Sequence, residues 1–159
     1  KADPASVYAM LRIELATGGG LPTAKVLDVV RLEKDTSLPA FGTSPFGFRI
    51  RRLRFLSGVV AAVEEIWLDG HFAKEILASE LSESLYLFYR QKLGLWIARA
   101  QDSVGQGPLP DWAPQDFPHQ PQTPLPLITR ISWDANGQSV ELSKTWYDPT
   151  NVRYVARLK

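Results

Sequence analysis

The sequence contains no cysteine, only two histidines and a single methionine among its 159 residues. Without cysteine the chain forms no disulfide and offers no thiolate to a metal ion. His71 and His119 lie far apart in the sequence, which argues against a histidine-rich metal site or a histidine-centred catalytic triad. We therefore expect no metal, no cofactor and no catalytic residue.

Strong charge of one sign and long apolar runs are missing as well. Eighteen basic against 17 acidic residues leave a net charge of +1, which is not the electrostatic footprint of a domain whose main task is to bind nucleic acid. No apolar run approaches the about 18 residues of a membrane-spanning helix, and no signal peptide is visible. The chain also lacks a glycine-rich phosphate loop, a GxSxG elbow and an HExxH motif. These absences exclude the common catalytic motifs and favour a binding domain without membrane contact.

The length suits one domain, and the 45% of hydrophobic and 22% of charged residues are ordinary for a globular protein. Residue patterns predict, in chain order, an amphipathic helix over 5–16, a strand over 23–33, a loop over 34–47, a hairpin over 48–68, a short helix or helical turn over 72–81, a helix from 82 to 94, a strand over 95–104, a second hairpin over 127–147 and a last strand over 151–158. The predicted class is α+β, with an antiparallel β-sheet packed on helices.

Residues 105–126 stand apart in composition, because seven of these 22 positions are proline. Proline cannot donate a backbone hydrogen bond, so this density argues against a regular helix or an interior strand. We expect an extended loop here, with one turn of helix near residues 111–115.

The first hairpin carries charged residues on both strands, around a turn at residues 57–58. Side chains of a strand alternate between the two faces, so Arg52 and Arg54 share one face. If the pairing register places Arg52 opposite Glu64, that face holds two guanidiniums and a carboxylate, which suits an anion with polar groups attached. The alternative is a solvated basic face with one cross-strand salt bridge, as is usual for surface charges.

Two further sets of polar side chains are candidates for binding. Ser84 and Tyr86 lie in the first turn of the predicted helix, whose N-cap we place at Ser82, where backbone N–H groups and the helix dipole favour an anion. The alternative is that these residues bind no ligand: the serine simply caps the helix and the tyrosine is half-buried. On the second hairpin Glu141 and Tyr147 share a face with two hydroxyl residues, which fits a pocket and the solvent side of a sheet equally well.

Five motifs occur together in a recognisable order: Arg52-Leu53-Arg54, Ala62-Val63-Glu64, Ser84-Leu85-Tyr86, Leu127-Ile128-Thr129-Arg130, and Asn136-Gly137 followed by Glu141 to Tyr147. In this combination residues 6–158 resemble the UTRA domain, the effector-binding half of HutC-type regulators in the bacterial GntR family. The resemblance implies a chorismate-lyase-like fold, an antiparallel sheet flanked by helices, without lyase activity. It also implies a cytoplasmic homodimer that contacts DNA only through a winged helix-turn-helix domain, which would precede this chain. Residues 1–159 would then form the effector domain alone.

The resemblance further implies one pocket for a small anionic metabolite, such as a sugar phosphate or a carboxylate. The arginine pair would grip the anionic group, the residues of the helix start would complete that anion site, and the remaining acidic and phenolic groups would hydrogen-bond the rest of the effector. The seven residues that match are Arg52, Arg54, Glu64, Ser84, Tyr86, Glu141 and Tyr147. Residues 7–11 match, loosely, a segment that closes over the ligand.

Two other functions fit the same residues. A lyase acting on an aromatic acid would use two arginines and a glutamate to bind and protonate its substrate. A dimerisation module would keep the fold with an empty pocket.

Overall fold

A computed structural model of the protein describes residues 10–159. The strands in this part of the chain are β1 (Ile13–Leu15), β2 (Pro22–Glu33), β3 (Phe46–Leu56), β4 (Val59–Asp69), β5 (Ile97–Pro108), β6 (Pro124–Asp134), β7 (Ser139–Tyr147) and β8 (Val152–Tyr154). Helical structure comprises the 3₁₀ turns Gly70–Phe72 and Ala78–Glu80 and the helix α1 (Leu85–Phe88), which continues into a π-helical turn, Tyr89–Leu93. None of the helices described is long and apolar enough to cross a membrane.

Six strands form one antiparallel sheet in the order β2-β3-β4-β7-β6-β5, and β1 pairs with β8 in a separate two-stranded ribbon. Neighbours in the sheet are joined by hairpins, except for the central β4–β7 pair, which brings the two predicted hairpins side by side. The predicted α+β class with an antiparallel sheet is confirmed, with less helix than the pattern indicated.

On one face of the sheet, the described residues form a hydrophobic cluster at each end. The helical segment packs Leu85 and Phe88 over Phe48 and Ile50 at one end. The β1–β8 ribbon packs Ile13 and Val152, among others, over the other end of the same face. The stretch between these two hydrophobic clusters carries the polar side chains of the central strands.

The opposite face is covered by two loops. The proline-rich loop, residues 109–123, packs Leu109 and Phe117 against Leu53 and Trp146. Phe41, from the loop between β2 and β3, covers the remainder of that face. The central strands are therefore buried on both sides.

The first hairpin has the predicted register, and a bulge produces it. Residues 57 and 58 have φ of 47° and 78°, the positive values of a two-residue hairpin turn. Continued without interruption, the register set by this turn would place Glu64 opposite Arg51, on the other face. The β-bulge at Ala61 shifts the pairing by one residue and brings Glu64 opposite Arg52.

The predicted helix over residues 5–16 is wrong where the structure describes it. Ile13–Leu15 forms β1 and pairs with Val152–Tyr154, and Ile13 is buried in the cluster beneath the ribbon. Ladder hydrogen bonds and burial outweigh the helical spacing of this short stretch. Residues 1–9 lie outside the described part of the chain, as does most of the predicted closing segment 7–11.

The helix start lies two residues later than predicted. Ser84, not Ser82, is the N-cap, and its Oγ accepts a hydrogen bond from the Leu87 amide at 3.2 Å. The Ser82 hydroxyl instead donates to the Ser84 carbonyl. Gly94, with φ of 63°, ends the segment as predicted. Residues 72–81 form only 3₁₀ turns, since the backbone between the two turns is extended or irregular.

The prediction of an extended loop over residues 105–126 is wrong at both ends of that range. Pro108 ends β5 and pairs with Pro124 at the start of β6. Both prolines lie where a strand is paired on one side only, because β5 is an edge strand and the pairing of β6 with β7 begins at Leu127. Between them the chain is a loop as predicted, and in place of the helical turn it has separate hydrogen-bonded turns, Pro110 to Ala113, Pro114 to Phe117 and Gln120 to Thr123. The last strand is confined to Val152–Tyr154.

Two glycines with positive φ give a matched test of the loop that covers the sheet. Gly42 has φ of +67°, and a Cβ there would lie 2.3 Å from Asp69 Cγ, whereas Gly58 has φ of +78° and no atom within 4 Å. Gly58→Ala should therefore cost about 1–2 kcal/mol of unfolding free energy, for the backbone alone. Gly42→Ala should cost at least twice as much in urea denaturation, because Asp69 must also leave its bonds to Lys34, Thr43 and Ser44. Equal losses in the two variants would contradict the close packing of Gly42 on Asp69.

Candidate ligand-binding site

Arg52, Arg54 and Glu64 form a buried ion cluster in the middle of the sheet. The Arg52 Nε donates to Glu64 Oε1 at 2.7 Å and the Arg54 Nη1 lies 3.3 Å from the same oxygen. The three residues are 3%, 7% and 7% exposed, so the alternative of a solvated surface face is wrong. All three side chains point to the same face, as the register required.

The ion cluster is electropositive. Burial raises the pKa of the Glu64 carboxyl, but the charges and hydrogen bonds of Arg52 and Arg54 outweigh burial and hold that pKa below its ordinary value. Glu64 is therefore ionised at neutral pH, and the three groups together carry one net positive charge. Because buried charges are poorly screened, this excess charge attracts an anion more strongly than a surface pair would.

Glu141, on β7, belongs to a hydrogen-bonded chain of hydroxyl groups. Ser132 Oγ donates to Glu141 Oε1 at 2.9 Å, and the Tyr89 hydroxyl donates to Oε2. Since the Ser132 proton is directed at Glu141, the Tyr86 hydroxyl, 2.9 Å from Ser132 Oγ, is the donor in that contact. Burial raises the pKa of Glu141, and it also raises the pKa of Tyr86. The chain fixes the carboxyl group in one orientation at the wall of the site.

A cavity of about 90 Å³ opens between these groups, and a second lobe of about 80 Å³ adjoins it. Met10 and Leu11 line both lobes, as do Arg54, Glu64 and Arg130. Six of the seven residues predicted from the sequence line the first lobe: Arg52, Arg54, Glu64, Ser84, Tyr86 and Glu141. Strands from both hairpins and the start of α1 thus converge on one cavity.

Tyr147 lies apart from the other six. It is 9% exposed and packs with Ile13, Ile128 and Val152 in the cluster beneath the ribbon. It shares a strand with Glu141 but lies toward the β8 end of the sheet, outside the lining of the two lobes. Ligand contact by Tyr147 stays a prediction.

Several lining residues were not identified from the sequence. Arg130 pairs with Ser143 across the β6–β7 ladder, and both line the cavity. Strand alternation on the second hairpin would have found Arg130, because paired residues share a face. Met10 and Leu11 carry no such signal of alternation, but they belong to segment 7–11, which was expected to close over the ligand, and both line the cavity.

The chemistry of the site is that of binding. Guanidinium groups and the Ser84 N-cap suit an anionic group, whereas the Glu64 and Glu141 carboxylates suit hydroxyl or amine donors. Within residues 10–159, no cluster of three or more His, Asp or Glu side chains is arranged to hold a metal ion.

Sequence comparison identifies both a domain family and a relative. The family model described as the UTRA domain matches residues 18–153. The HTH-type transcriptional regulator SmoD of Agrobacterium fabrum is 52% identical over 158 residues, which cover 99% of this chain and 68% of SmoD.

Solved structures with the same fold include effector domains of regulators. The ligand-binding domain of a protein assigned to the GntR family from Bordetella bronchiseptica has a TM-score of 0.76 at 20% identity, over 94% of this chain and 97% of that chain. The effector domain of PhnF from Mycobacterium smegmatis has a TM-score of 0.70 at 19% identity, over 87% of this chain and 88% of that chain. At these identities the structures show a shared fold.

Adjacent glutamates of β4 give a matched test of the buried ion cluster. Glu64→Gln leaves two buried guanidiniums without their carboxylate and should cost about 3–5 kcal/mol of unfolding free energy at pH 7. Glu65→Gln breaks the Arg51–Glu65 pair on the other face, whose side chains are 21% and 19% exposed, and should cost at most about 1 kcal/mol.

The stability that Glu64 contributes depends on pH in a defined direction. Because the folded-state pKa of Glu64 is lowered, its stabilisation is complete above the ordinary glutamate pKa and is lost as pH falls through the folded-state pKa. The stability difference between wild type and Glu64→Gln should therefore shrink from pH 7 to about pH 3.5 in urea denaturation, as Glu64 becomes protonated. A difference that stays constant over this range would contradict an ionised, arginine-paired Glu64.

Proposed function

The chain belongs to the UTRA domain family as an effector-binding domain of a GntR-family transcriptional regulator, and we propose that it binds a small anionic metabolite in the cavity between its two hairpins. The observation that carries the proposal is the buried cluster of Arg52, Arg54 and Glu64, with its net positive charge at the cavity wall. The metabolite class that fits is a sugar phosphate or a sugar-like carboxylate.

The anionic group of the effector would bind at the arginine pair. Charge-assisted hydrogen bonds to guanidiniums are about twice as strong as neutral ones, so these contacts supply most of the affinity. The N-capping Ser84 and the Tyr86 hydroxyl lie at the same lobe and would complete the anion site. The hydroxyl groups of a sugar would donate to Glu141, which the neighbouring hydroxyls hold in place, and this contact would supply selectivity.

In the full-length regulator, ligand binding would act on DNA through a helix-turn-helix domain. We propose that this domain precedes the present chain and that two copies associate in the cytoplasm as a homodimer. A ligand that binds one arrangement of the dimer better than the other shifts the population between them. The spacing of the two DNA-binding domains would change with that shift.

The rival functions find less support. SmoD is a transcriptional regulator, and the Bordetella bronchiseptica domain belongs to a protein assigned to a family of such regulators, which supports a regulatory domain and not a lyase. A module that only dimerises has no use for a buried cluster with net charge, because an apolar cluster of similar volume would serve at least as well in the sheet.

Calorimetric titration with inorganic phosphate, glucose 6-phosphate and glucuronate tests the proposal, with uncharged glucose as the ligand control. At least one anionic sugar should bind the wild-type domain, and glucose should bind at least tenfold more weakly. Arg54→Gln should weaken anion binding by about 10- to 100-fold, since one charged hydrogen bond contributes about 1.5–3 kcal/mol. Arg54 is chosen for the substitution instead of Arg52 because the hydrogen bond from Arg54 to Glu64 is longer than the one from Arg52 to Glu64.

Arg51→Gln is the matched control variant. It removes an arginine from the same strand and a salt bridge to the same neighbouring strand, but on the face away from the cavity, and should change affinity less than twofold. Loss of binding in both variants, or no binding of any anion to the wild type, would refute the proposed site. Release of 4-hydroxybenzoate from chorismate would restore the lyase alternative.

A further inference from the structure

Two hydroxyl side chains of the second hairpin, those of Ser143 and Thr145, have no role in the proposed anion site. Both residues lie on β7, and they share the face of Glu141 because strand side chains alternate with a period of two. Thr145 is paired with Glu64 on one neighbouring strand and with Ile128 on the other. The hydrogen-bonded ladders on both sides of β7 therefore fix the direction of these side chains.

Within residues 10–159 neither hydroxyl is engaged. The structure shows no side-chain hydrogen bond from Ser143 or Thr145 to another described residue, and neither oxygen belongs to the buried polar atoms that lack a partner. Both oxygens are therefore accessible, and each hydroxyl can donate one hydrogen bond and accept two. The acids of the first lobe differ, since Glu64 already accepts from two arginines and Glu141 from two hydroxyls.

The second lobe of the cavity is where these hydroxyls are presented. Thr145 lines the second lobe only, whereas Ser143 lines both lobes. Ile13 and Ile128 also line the second lobe only, and they add apolar surface to it. A lobe with both hydroxyl groups and aliphatic side chains suits a sugar ring, whose hydroxyls form hydrogen bonds and whose C–H groups pack on apolar side chains.

The two lobes are of similar size, about 90 and 80 Å³. A ligand confined to the first lobe would leave the second to water, and water alone would satisfy the hydroxyls of Ser143 and Thr145. A second unit of the ligand would replace that water with hydrogen bonds of its own and would bury apolar surface of Ile13 and Ile128. The second lobe thus offers affinity that an anionic monosaccharide in the first lobe cannot use.

We propose that the second lobe is a subsite for a second hydroxylated unit of the ligand, such as another sugar ring, and that Ser143 and Thr145 recognise this unit. The effector is then an anionic glycoside, with its charged sugar in the first lobe, and not a free anionic monosaccharide. Hydrogen bonds to these two hydroxyls displace no contact between described residues. The inference rests on the proposed function, since it extends the ligand of that same cavity.

Calorimetric titration of the wild-type domain compares ligands of one and two units. Glucose 6-phosphate is measured beside cellobiose 6′-phosphate and maltose 6′-phosphate, in which the same phosphorylated glucose carries a second glucose in β or α linkage. If glucuronate is the monosaccharide that binds, the corresponding disaccharides of glucuronate and glucose take their place. The better of the two disaccharides should bind at least tenfold more tightly than the monosaccharide, because it adds two hydrogen bonds and apolar contact.

Thr145→Val is the diagnostic variant, because it removes the hydroxyl and keeps the shape of the side chain. It should weaken disaccharide binding about fivefold, the effect of one neutral hydrogen bond, and change monosaccharide binding less than twofold, since Thr145 does not line the first lobe. Retained monosaccharide binding also shows that the variant folds. Thr145→Ser keeps the hydroxyl and should bind the disaccharide within twofold of wild type. Adding Ser143→Ala to Thr145→Val should remove most of the advantage of the disaccharide.

Thr129→Val is the matched control. Thr129 lies on the neighbouring strand β6, and its pairing with Lys144 places it on the face away from the cavity. The same chemical change at this position should alter the affinity for neither ligand.

The two levels of the hypothesis fail separately. If the anionic monosaccharide binds the wild type and neither disaccharide binds more tightly, the subsite is wrong and the proposed anion site stands. The subsite is equally wrong if Thr145→Val weakens both ligands to the same extent, or if the advantage of the disaccharide persists in the double variant. If no anionic sugar of either size binds the wild type, the proposed function is refuted and the subsite with it.

Discussion

The structure depends on one carboxylate, Glu64, shared by two arginines in the middle of a sheet that is covered on both faces. Removing three ionised groups from water costs free energy that their hydrogen bonds and mutual attraction must offset, so the hairpin tolerates one register. That register requires the bulge at Ala61, because the tight turn at residues 57–58 would by itself direct Glu64 to the opposite face. The same constraint that fixes the pairing of β3 and β4 therefore leaves an electropositive group at the wall of a cavity.

The polar site exists because the sheet is covered unevenly. Helix α1 and the β1–β8 ribbon each bury an apolar cluster on the same face, and the stretch between them carries the polar side chains of the central strands. Proline-rich residues 109–123 and the loop that carries Phe41 cover the other face, so the site lies on one side of the sheet. On that side Met10 and Leu11 line both lobes of the cavity.

Residues whose direction follows from strand alternation were predictable, and residues placed by long-range packing were not. Arg52, Arg54 and Glu141 were found because a period of two assigns each to a face. Arg130 was within reach of the same reasoning, since it lies on the second hairpin. Strand alternation could not place Met10, which only the family resemblance put near the ligand, because a helix-like spacing near the N-terminus gave no indication that residues 13–15 would join a ribbon with the far end of the chain.

The sequence by itself determined the antiparallel hairpins, the faces of their strands and the family to which the motifs belong, since these depend on alternation, turn residues and local order. Only the tertiary structure decided that the charges are buried, that Tyr147 packs beneath the ribbon and apart from the cavity, and that Ser84 caps the helix. Burial is a property of what covers a strand, and the covering elements come from distant parts of the chain. For that reason a face of two arginines and a glutamate, for which strand alternation alone left both a solvated surface and a pocket open, became a pocket only when α1 and the ribbon were in place.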